Sequence, residues 1–173
     1  WNFKGMQNLG FTWSMLPGLK RIAGDGIGMS AGRYLRFFNT HPYMAPTVMG
    51  VLLNLEEQGD AGQADKLKQA LSSSLAAIGD SFFWATLKPV AALLFLLAAM
   101  TGEVWAMALV LVAYNALHVW TMAWGFSRGY RSGPEGALAV GRVLSVGRAA
   151  KASYAIPLLA GMALASLSAW PGV

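Results

Sequence analysis

The fold class predicted for this chain is an all-α integral membrane protein, in which amphipathic and re-entrant helices are followed by about three transmembrane helices. Three observations predict it. The 173 residues are 55% hydrophobic and 12% charged, about half the charge of an ordinary water-soluble domain, so much of the surface must face something other than water. Three long apolar runs occupy the second half of the chain. Lys and Arg gather before and between these runs but leave one connection bare, as membrane topology requires. The net charge of +5 comes from residues flanking apolar runs and forms no basic stripe, which argues against nucleic acid. The absence of Cys excludes disulfide frameworks, thiol catalysis and cysteine-ligated zinc.

Residues 1–22 mix Trp1, Phe3, Met6, Leu9, Phe11, Trp13, Met15 and Leu16 with Lys4, Lys20 and Arg21. This is the pattern of an interfacial amphipathic helix, expected to break at Pro17-Gly18. Gly24, Gly26 and Gly28 give a superficial G-x-G pattern. Without the preceding strand and the later Gly of a dinucleotide fingerprint, it reads as a flexible connection. Ser30 is placed to cap a short helix running through Phe38 and stopped by Pro42. The apolar run 44–55 is too short to span and closes on Glu56-Glu57-Gln58, so it predicts a buried or re-entrant helix. Between Gln63 and Gly79, Leu67, Leu71, Leu75 and Ile78 recur at helical spacing while the charges point elsewhere, which is an amphipathic helix. Gly79-Asp80-Ser81 is expected to break it, dividing an amphipathic and re-entrant region, 1–80, from a transmembrane region, 81–173.

The first span is expected over 82–101, with Lys88 snorkelling or facing protein and Pro89 bending the helix. The second, 104–124, holds no Asp, Glu, Lys or Arg and carries Trp105, Trp120 and Trp124 toward its ends, where indoles favour the interface. The third, 152–170, is rich in the small residues that allow close helix packing in lipid. The connection 101–103 has no Lys or Arg. The connection after the second span has Arg128, Arg131, Arg142, Arg148 and Lys151, and the segment before the first has Lys4, Lys20, Arg21, Arg33, Arg36, Lys66 and Lys68. The last two are therefore expected on the cytoplasmic side. A turn is expected at 132–136 and an interfacial helix over 137–151.

Four blocks carry a family resemblance: WNFKGMQNLGFTWSMLPGLKR at 1–21, FFNTHPYMAPTVMGVLLNLEEQ at 37–58, AAIGDSFFWATLKPV at 76–90 and WGFSRGYRSG at 124–133. In order and spacing they resemble the IID component of the mannose/fructose/sorbose family of bacterial sugar phosphotransferase systems (PTS). The resemblance implies a multi-pass subunit of the bacterial inner membrane that translocates a hexose together with a IIC subunit, in a higher oligomer of IIC–IID units. It also implies that separate IIA and IIB proteins carry the phosphoryl group, so that this chain is a transport subunit with no catalytic residue, no metal and no cofactor. Family members usually read Gly-Asp-Pro where this chain has Gly79-Asp80-Ser81, and they continue through a further carboxy-terminal region. The chain is accordingly expected to be part of a longer subunit. The alternative is a membrane scaffold or receptor that retains the fold and transports nothing.

Sugars are recognised by amides and carboxylates that hydrogen-bond their hydroxyls, often beside an aromatic ring. Asn39, Thr40 and His41 follow Phe37-Phe38 at an expected helix end, and Asp80 sits at the mouth of the first span, so these four are the leading substrate-binding candidates. Asn2 and Gln7 in the first block complete the set. Each has a structural reading too: Asn39 and Thr40 as caps, Asp80 as the N-cap of the span, with Lys88 as its partner or a snorkelling cation. Glu56 and Glu57 lack the supporting groups of an acid–base pair and are expected to be solvated or Arg-paired. Asn115 and His118 share a face of the second span, for an interhelical hydrogen bond or the sugar path. Two His far apart in sequence, without Cys, offer no metal-ligand spacing.

Overall fold

A computed structural model describes residues 2–145 and 161–162. Among the described residues its regular secondary structure is all helix, with two isolated bridges that join Asn2 to Met6 and Met6 to Phe38. The elements are α1 (Asn8–Ala23), a 3₁₀ turn (Gly24–Gly26), α2 (Ile27–Tyr34), α3 (Ala45–Glu57), α4 (Ala61–Gly79), a π-helix (Asp80–Leu87), α5 (Lys88–Met100) and α6 (Val104–Leu144). They form two compact units, one of residues 2–79 with 118–144 and one built on 80–117. Of the expected third span, 152–170, all but residues 161–162 lie outside the described residues.

In the first unit α1 buries Phe11, Met15 and Leu19 at intervals of one helical turn. The expected break at Pro17-Gly18 is absent, and α1 runs through both residues. Burial of Met15 and Leu19 on either side outweighs the one backbone hydrogen bond that Pro17 cannot make. Gly18 instead allows α3 to come close, since a Cβ there would lie 2.8 Å from Leu53 Cδ2. Gly24–Gly26 is an ordered 3₁₀ turn, and Gly28 is already inside α2. That turn starts α2 three residues before Ser30. Ser30 is therefore not a cap but a buried mid-helix residue, whose Oγ accepts from Arg33 Nη2 at 3.1 Å. The helix also stops at Tyr34 rather than Phe38, because Phe38 bridges to Met6 and stacks on Phe11 with ring centres 3.7 Å apart.

Residues 38–41 are extended, and the turn after Pro42 leads into α3, with Pro46 in the first turn where a missing N–H is harmless. The expected short apolar helix is found here as a buried one: Val48, Val51 and Leu52 are fully enclosed. Along α4 the buried face is Ala64, Lys68, Leu71, Ser72, Leu75 and Gly79.

The expected break at Gly79-Asp80 is also absent. α4, the π-helix and α5 follow without interruption, as one apolar helical run of 40 residues, Ala61–Met100. Gly79 lacks a side chain because His41 and Met44 pack against its Cα. The chain responds to Pro89 upstream, by winding eight residues as π-helix, whose hydrogen bonds reach one residue further than in an α-helix. Thr86 Oγ1 supports that winding by donating to the Ser81 carbonyl at 2.9 Å.

In the second unit, Gly102 at φ 73° turns the chain between α5 and α6. Leu94, Leu96, Met100, Val104, Trp105, Leu109, Leu111 and Val112 all point outward, as they do on helices solvated by lipid. Asn115 forms no interhelical hydrogen bond among the described residues. Its Nδ2 donates to the Leu111 carbonyl of its own helix at 2.8 Å, which satisfies the amide locally.

Helix α6 returns to the first unit at His118. It is interrupted at Gly133 (φ 54°, ψ −139°), just before Pro134, so the expected turn at 132–136 is present. Beyond it, Gly136 lies against the Arg128 carbonyl, and Ala137, Val140 and Leu144 are buried. Gly125, Gly129 and Gly133 fall one turn apart and face Thr47, Gly50, Val51 and Asn54 of α3. A Cβ on Gly129 would lie 2.5 Å from the Thr47 carbonyl and 3.0 Å from the Val51 nitrogen. Asn54 Nδ2 donates to the Tyr130 carbonyl across this crossing at 2.8 Å. Small residues at every fourth position are how helix backbones approach closely in lipid.

Ala61–Met100 and Val104–Leu144 are each long and apolar enough to cross a membrane. From Val104 to the Gly133 interruption α6 measures about 45 Å at 1.5 Å per residue, beyond the roughly 30 Å of hydrocarbon. Single cysteines placed at Gly102 and Ser132 are therefore expected to react with an impermeant thiol reagent from opposite membrane faces. Reaction from one face would refute the spanning assignment of α6.

Candidate functional site

The six candidates from the sequence do not share one role. Three are engaged with the protein itself. The Gln7 amide clasps residue 40 at two points, Nε2 donating to the Thr40 carbonyl at 2.8 Å and Oε1 accepting from the Thr40 N–H at 3.1 Å. The Gln7 backbone N–H donates to the Phe38 carbonyl at 2.9 Å, and the Phe38 N–H donates to Gly5 at 3.3 Å. Thr40 Oγ1 donates to the Ser72 carbonyl at 2.9 Å, tying the loop to α4. Asn2 Nδ2 donates to Asn8 Oδ1 at 2.7 Å, and Asn2 Oδ1 accepts from the Gly5 N–H at 2.6 Å. Asn8 Nδ2 reaches the Leu35 carbonyl. The structure thus brings Asn2, Gln7 and Thr40 together as a clasp that fixes the 38–43 loop against the amino-terminal turn.

His41 is 1% exposed. Its Nδ1 accepts from the Tyr43 N–H at 3.3 Å, and the Tyr43 ring lies 3.9 Å from the ring of His118. His118 is buried as well. Asn39 is the exception in its block: it is half-buried, and its side chain makes no hydrogen bond among the described residues.

Asp80 belongs to the second unit and is exposed on the π-helix. With helix continuing on both sides, it caps nothing. No ion pair joins it to Lys88, which is also exposed.

One groove went unread in the sequence. Gln7, Gly10, Phe11 and Ser14 along α1, Phe38, and Pro42, Ala45, Pro46 and Met49 at the start of α3 enclose about 300 Å³. Gly10 and Ser14, one turn apart on α1, keep the groove open, and that small-residue spacing was the signal available beforehand. Its walls combine aromatic and aliphatic surface with an amide and a hydroxyl, the lining of a small polar ligand's site.

A buried ionic cluster ties α2 to α3. Glu56, whose side chain is 5% exposed, accepts from Arg33 Nη2 at 2.7 and 2.8 Å and from the Tyr34 hydroxyl at 2.6 Å. Glu56 is thus Arg-paired, one of the two expected outcomes for these acids. Burial first, and then the hydrogen bond to Glu56, push the Tyr34 phenol well above its ordinary range. The Glu56 hydrogen bond likewise holds the Arg33 guanidinium more firmly charged. Lys68 Nζ, buried nearby, lies 3.4 Å from the Arg33 carbonyl and 6.0 Å from the Tyr34 ring centre. Glu57 accepts from the Tyr130 hydroxyl at 2.7 Å. Among the described residues no group of three or more His, Asp or Glu is arranged to hold a metal.

Comparison with known proteins places this geometry. Residues 1–170 match the PTS system mannose/fructose/sorbose family IID component. Over 142 residues the chain is 37% identical to the mannose-specific EIID component of Escherichia coli (strain K12), covering 77% of this chain and 50% of that protein. It is 32% identical to the fructose permease IID component of Bacillus subtilis, covering 78% and 52%. A solved structure of the mannose transporter ManYZ with microcin E492 superposes with a TM-score of 0.66 at 31% identity, covering 95% of this chain and 63% of that chain. The chain therefore spans about half the length of the curated relatives it matches. Its helices are those of an integral membrane protein, and the chain belongs to the IID components of the mannose/fructose/sorbose family of phosphotransferase systems.

Proposed function

We propose that this chain is the membrane-embedded part of a phosphoenolpyruvate-dependent sugar phosphotransferase system. With a IIC subunit, it passes a hexose of the mannose/fructose/sorbose class across the bacterial inner membrane, while separate IIA and IIB proteins carry the phosphoryl group. Family membership supports the transport role. The observation that supports the site assignment is the half-buried Asn39, without a side-chain hydrogen bond among the described residues, whose chain neighbours are Phe38, which lines a groove of about 300 Å³, and Thr40, which the Gln7 amide clasps. On this reading Asn39 contacts sugar, and Gln7, Thr40 and Asn2 position it. His41 is a packing residue, because an imidazole 1% exposed is out of reach of a phosphoryl donor. Asp80, in the second unit, stands separately, as an exposed carboxylate able to accept from sugar hydroxyls elsewhere along the transport route.

The test is sugar uptake by the full-length subunit and its partner in a strain lacking its own. A hydrogen bond to an ionised group is worth about 1.5–3 kcal/mol, so Asp80→Asn is expected to weaken uptake by roughly tenfold to a hundredfold. Since Asp80 caps no helix, assembly should be unaffected, and unchanged uptake would remove it from the route. Asn39→Ala, which loses a neutral hydrogen bond of about 1 kcal/mol, should raise the half-saturating sugar concentration roughly fivefold. His41→Gln should leave sugar phosphorylation intact once assembly is confirmed. A complex that assembles and transports no sugar at all would favour the scaffold reading.

A further inference from the structure

We infer that the outer face of α1 is a binding surface for anionic phospholipid headgroups, with α1 lying in the plane of the membrane interface. The inner face of this helix is occupied by the core, through Phe11, Met15 and Leu19. Its outer face is also apolar, with Leu9 54% and Trp13 76% exposed, and Phe3 on the preceding turn fully exposed. Cations stand at both ends of the strip: Lys4 before it, Lys20 and Arg21 in its last turn, all exposed and in no ion pair among the described residues. Residues 1–24 hold no Asp or Glu; Arg21 lies within electrostatic reach of Tyr130, whose hydroxyl donates to Glu57, whereas Lys4 and Lys20 stand at the two ends of the strip with no ion pair among the described residues.

Geometry separates lying from spanning. Sixteen residues make a helix of about 24 Å, short of the roughly 30 Å of hydrocarbon. Upright, α1 would carry the Trp13 indole at mid-hydrocarbon depth. Flat at the interface, it places the indole at the headgroup boundary that Trp favours, sinks Leu9 and Phe3 among the upper acyl carbons, and holds all three cations level with phosphate. The charge complement of this surface is an anionic headgroup. A neutral bilayer would leave Lys4 and Lys20 without counter-charge, whereas an anionic one supplies phosphate at their level.

The full-length complex in nanodiscs of phosphatidylcholine with phosphatidylglycerol tests this. These 173 residues hold no cysteine, so with any cysteine elsewhere in the subunit replaced by Ser, Trp13→Cys carries a single nitroxide on it, with Leu9→Cys as the second site if the first disturbs assembly. Equal access to dissolved oxygen and to a water-soluble nickel chelate, as at the headgroup boundary, is expected. Each interfacial Lys or Arg contributes about fivefold in affinity for an anionic surface, so Lys20→Gln with Arg21→Gln should lower retention of phosphatidylglycerol relative to phosphatidylcholine in native mass spectrometry by on the order of thirtyfold. Lys66→Gln, an exposed cation on α4, should leave it unchanged. A label shielded from both reagents would mean that protein covers the strip. Such shielding, a label at mid-bilayer depth, or an equal loss on Lys66→Gln would each overturn the proposal.

Discussion

Gly129→Leu is expected to abolish assembly of the folded subunit, and Gly129→Ala to destabilise it by about 3 kcal/mol, the upper end of the overpacking range. The effect is this large because the atoms in the way are backbone: the Thr47 carbonyl and the Val51 nitrogen lie within 3.0 Å of the new Cβ. A side-chain neighbour could rotate aside, whereas here α3 and α6 must separate as whole helices. Separation also breaks the Asn54–Tyr130 hydrogen bond, made by a half-buried amide. The measurement is denaturing-detergent titration of the purified full-length complex. Gly32→Ala is the control, because it sits in α2 with open space around its Cβ. It should be neutral or stabilising by about 0.5–1 kcal/mol. Similar behaviour of the two Ala variants would show that the α3–α6 crossing is not close-packed.

Arg33→Met should destabilise by about 3 kcal/mol, because it leaves the Glu56 carboxylate buried without its cation. The value is taken from the lower end for a broken buried pair, since Arg33 keeps 27% of its side chain in water. Arg33→Met combined with Glu56→Leu should recover most of the loss, as removing both charges removes the desolvation penalty with them. A double variant as unstable as the single one would mean that the packing of the Arg33 stem matters more than charge.

The same cluster sets an alkaline limit. The Tyr34 pKa is raised in the fold above an unfolded value of about 10. Its contribution to stability is therefore fully present below that value and is lost as pH climbs through the folded one. Tyr34→Phe should flatten the loss of stability above about pH 10.

Where the sequence could be read, the signal was composition or period. The apolar runs that became α5 and α6 were legible because lipid-facing helices need apolar residues, and the short α3 because burial dictates residue type there; along α4 the leucine spacing marked the helix, yet Lys68 and Ser72, expected to point elsewhere, are buried beside Leu71 and Leu75. Breaks were read less well. Pro17, Gly18 and Gly79 look like punctuation in a sequence, yet each lies inside continuous helix. Gly18 and Gly79 are small because Leu53 and His41 need the room, and a residue type cannot say whether it bends its own chain or admits another. The block WGFSRGYRSG contributed to the family resemblance, while its glycines at every fourth position went unread as a packing face. In the candidate site, the residue types at 39–41 and Gln7 point to residues that the fold brings together. Their division into clasp and free amide rests on hydrogen bonds between residues 33 apart, a distance no local pattern encodes.

The α3–α6 crossing also fixes an order of events during synthesis. Asn54 bonds to a residue 76 positions later in the chain. At about 5–20 residues per second, α3 leaves the ribosome roughly 4–15 s before the partner it packs against. Throughout that interval its narrow face, with Thr47, Gly50 and Asn54, has no glycine ridge to receive it. A nascent chain at this stage holds a short apolar helix that can neither span the bilayer nor bury its amide, and it must be sheltered at the insertion machinery until α6 arrives. Mutations that slow translation between α3 and α6 would lengthen that exposure without altering a single contact in the finished protein.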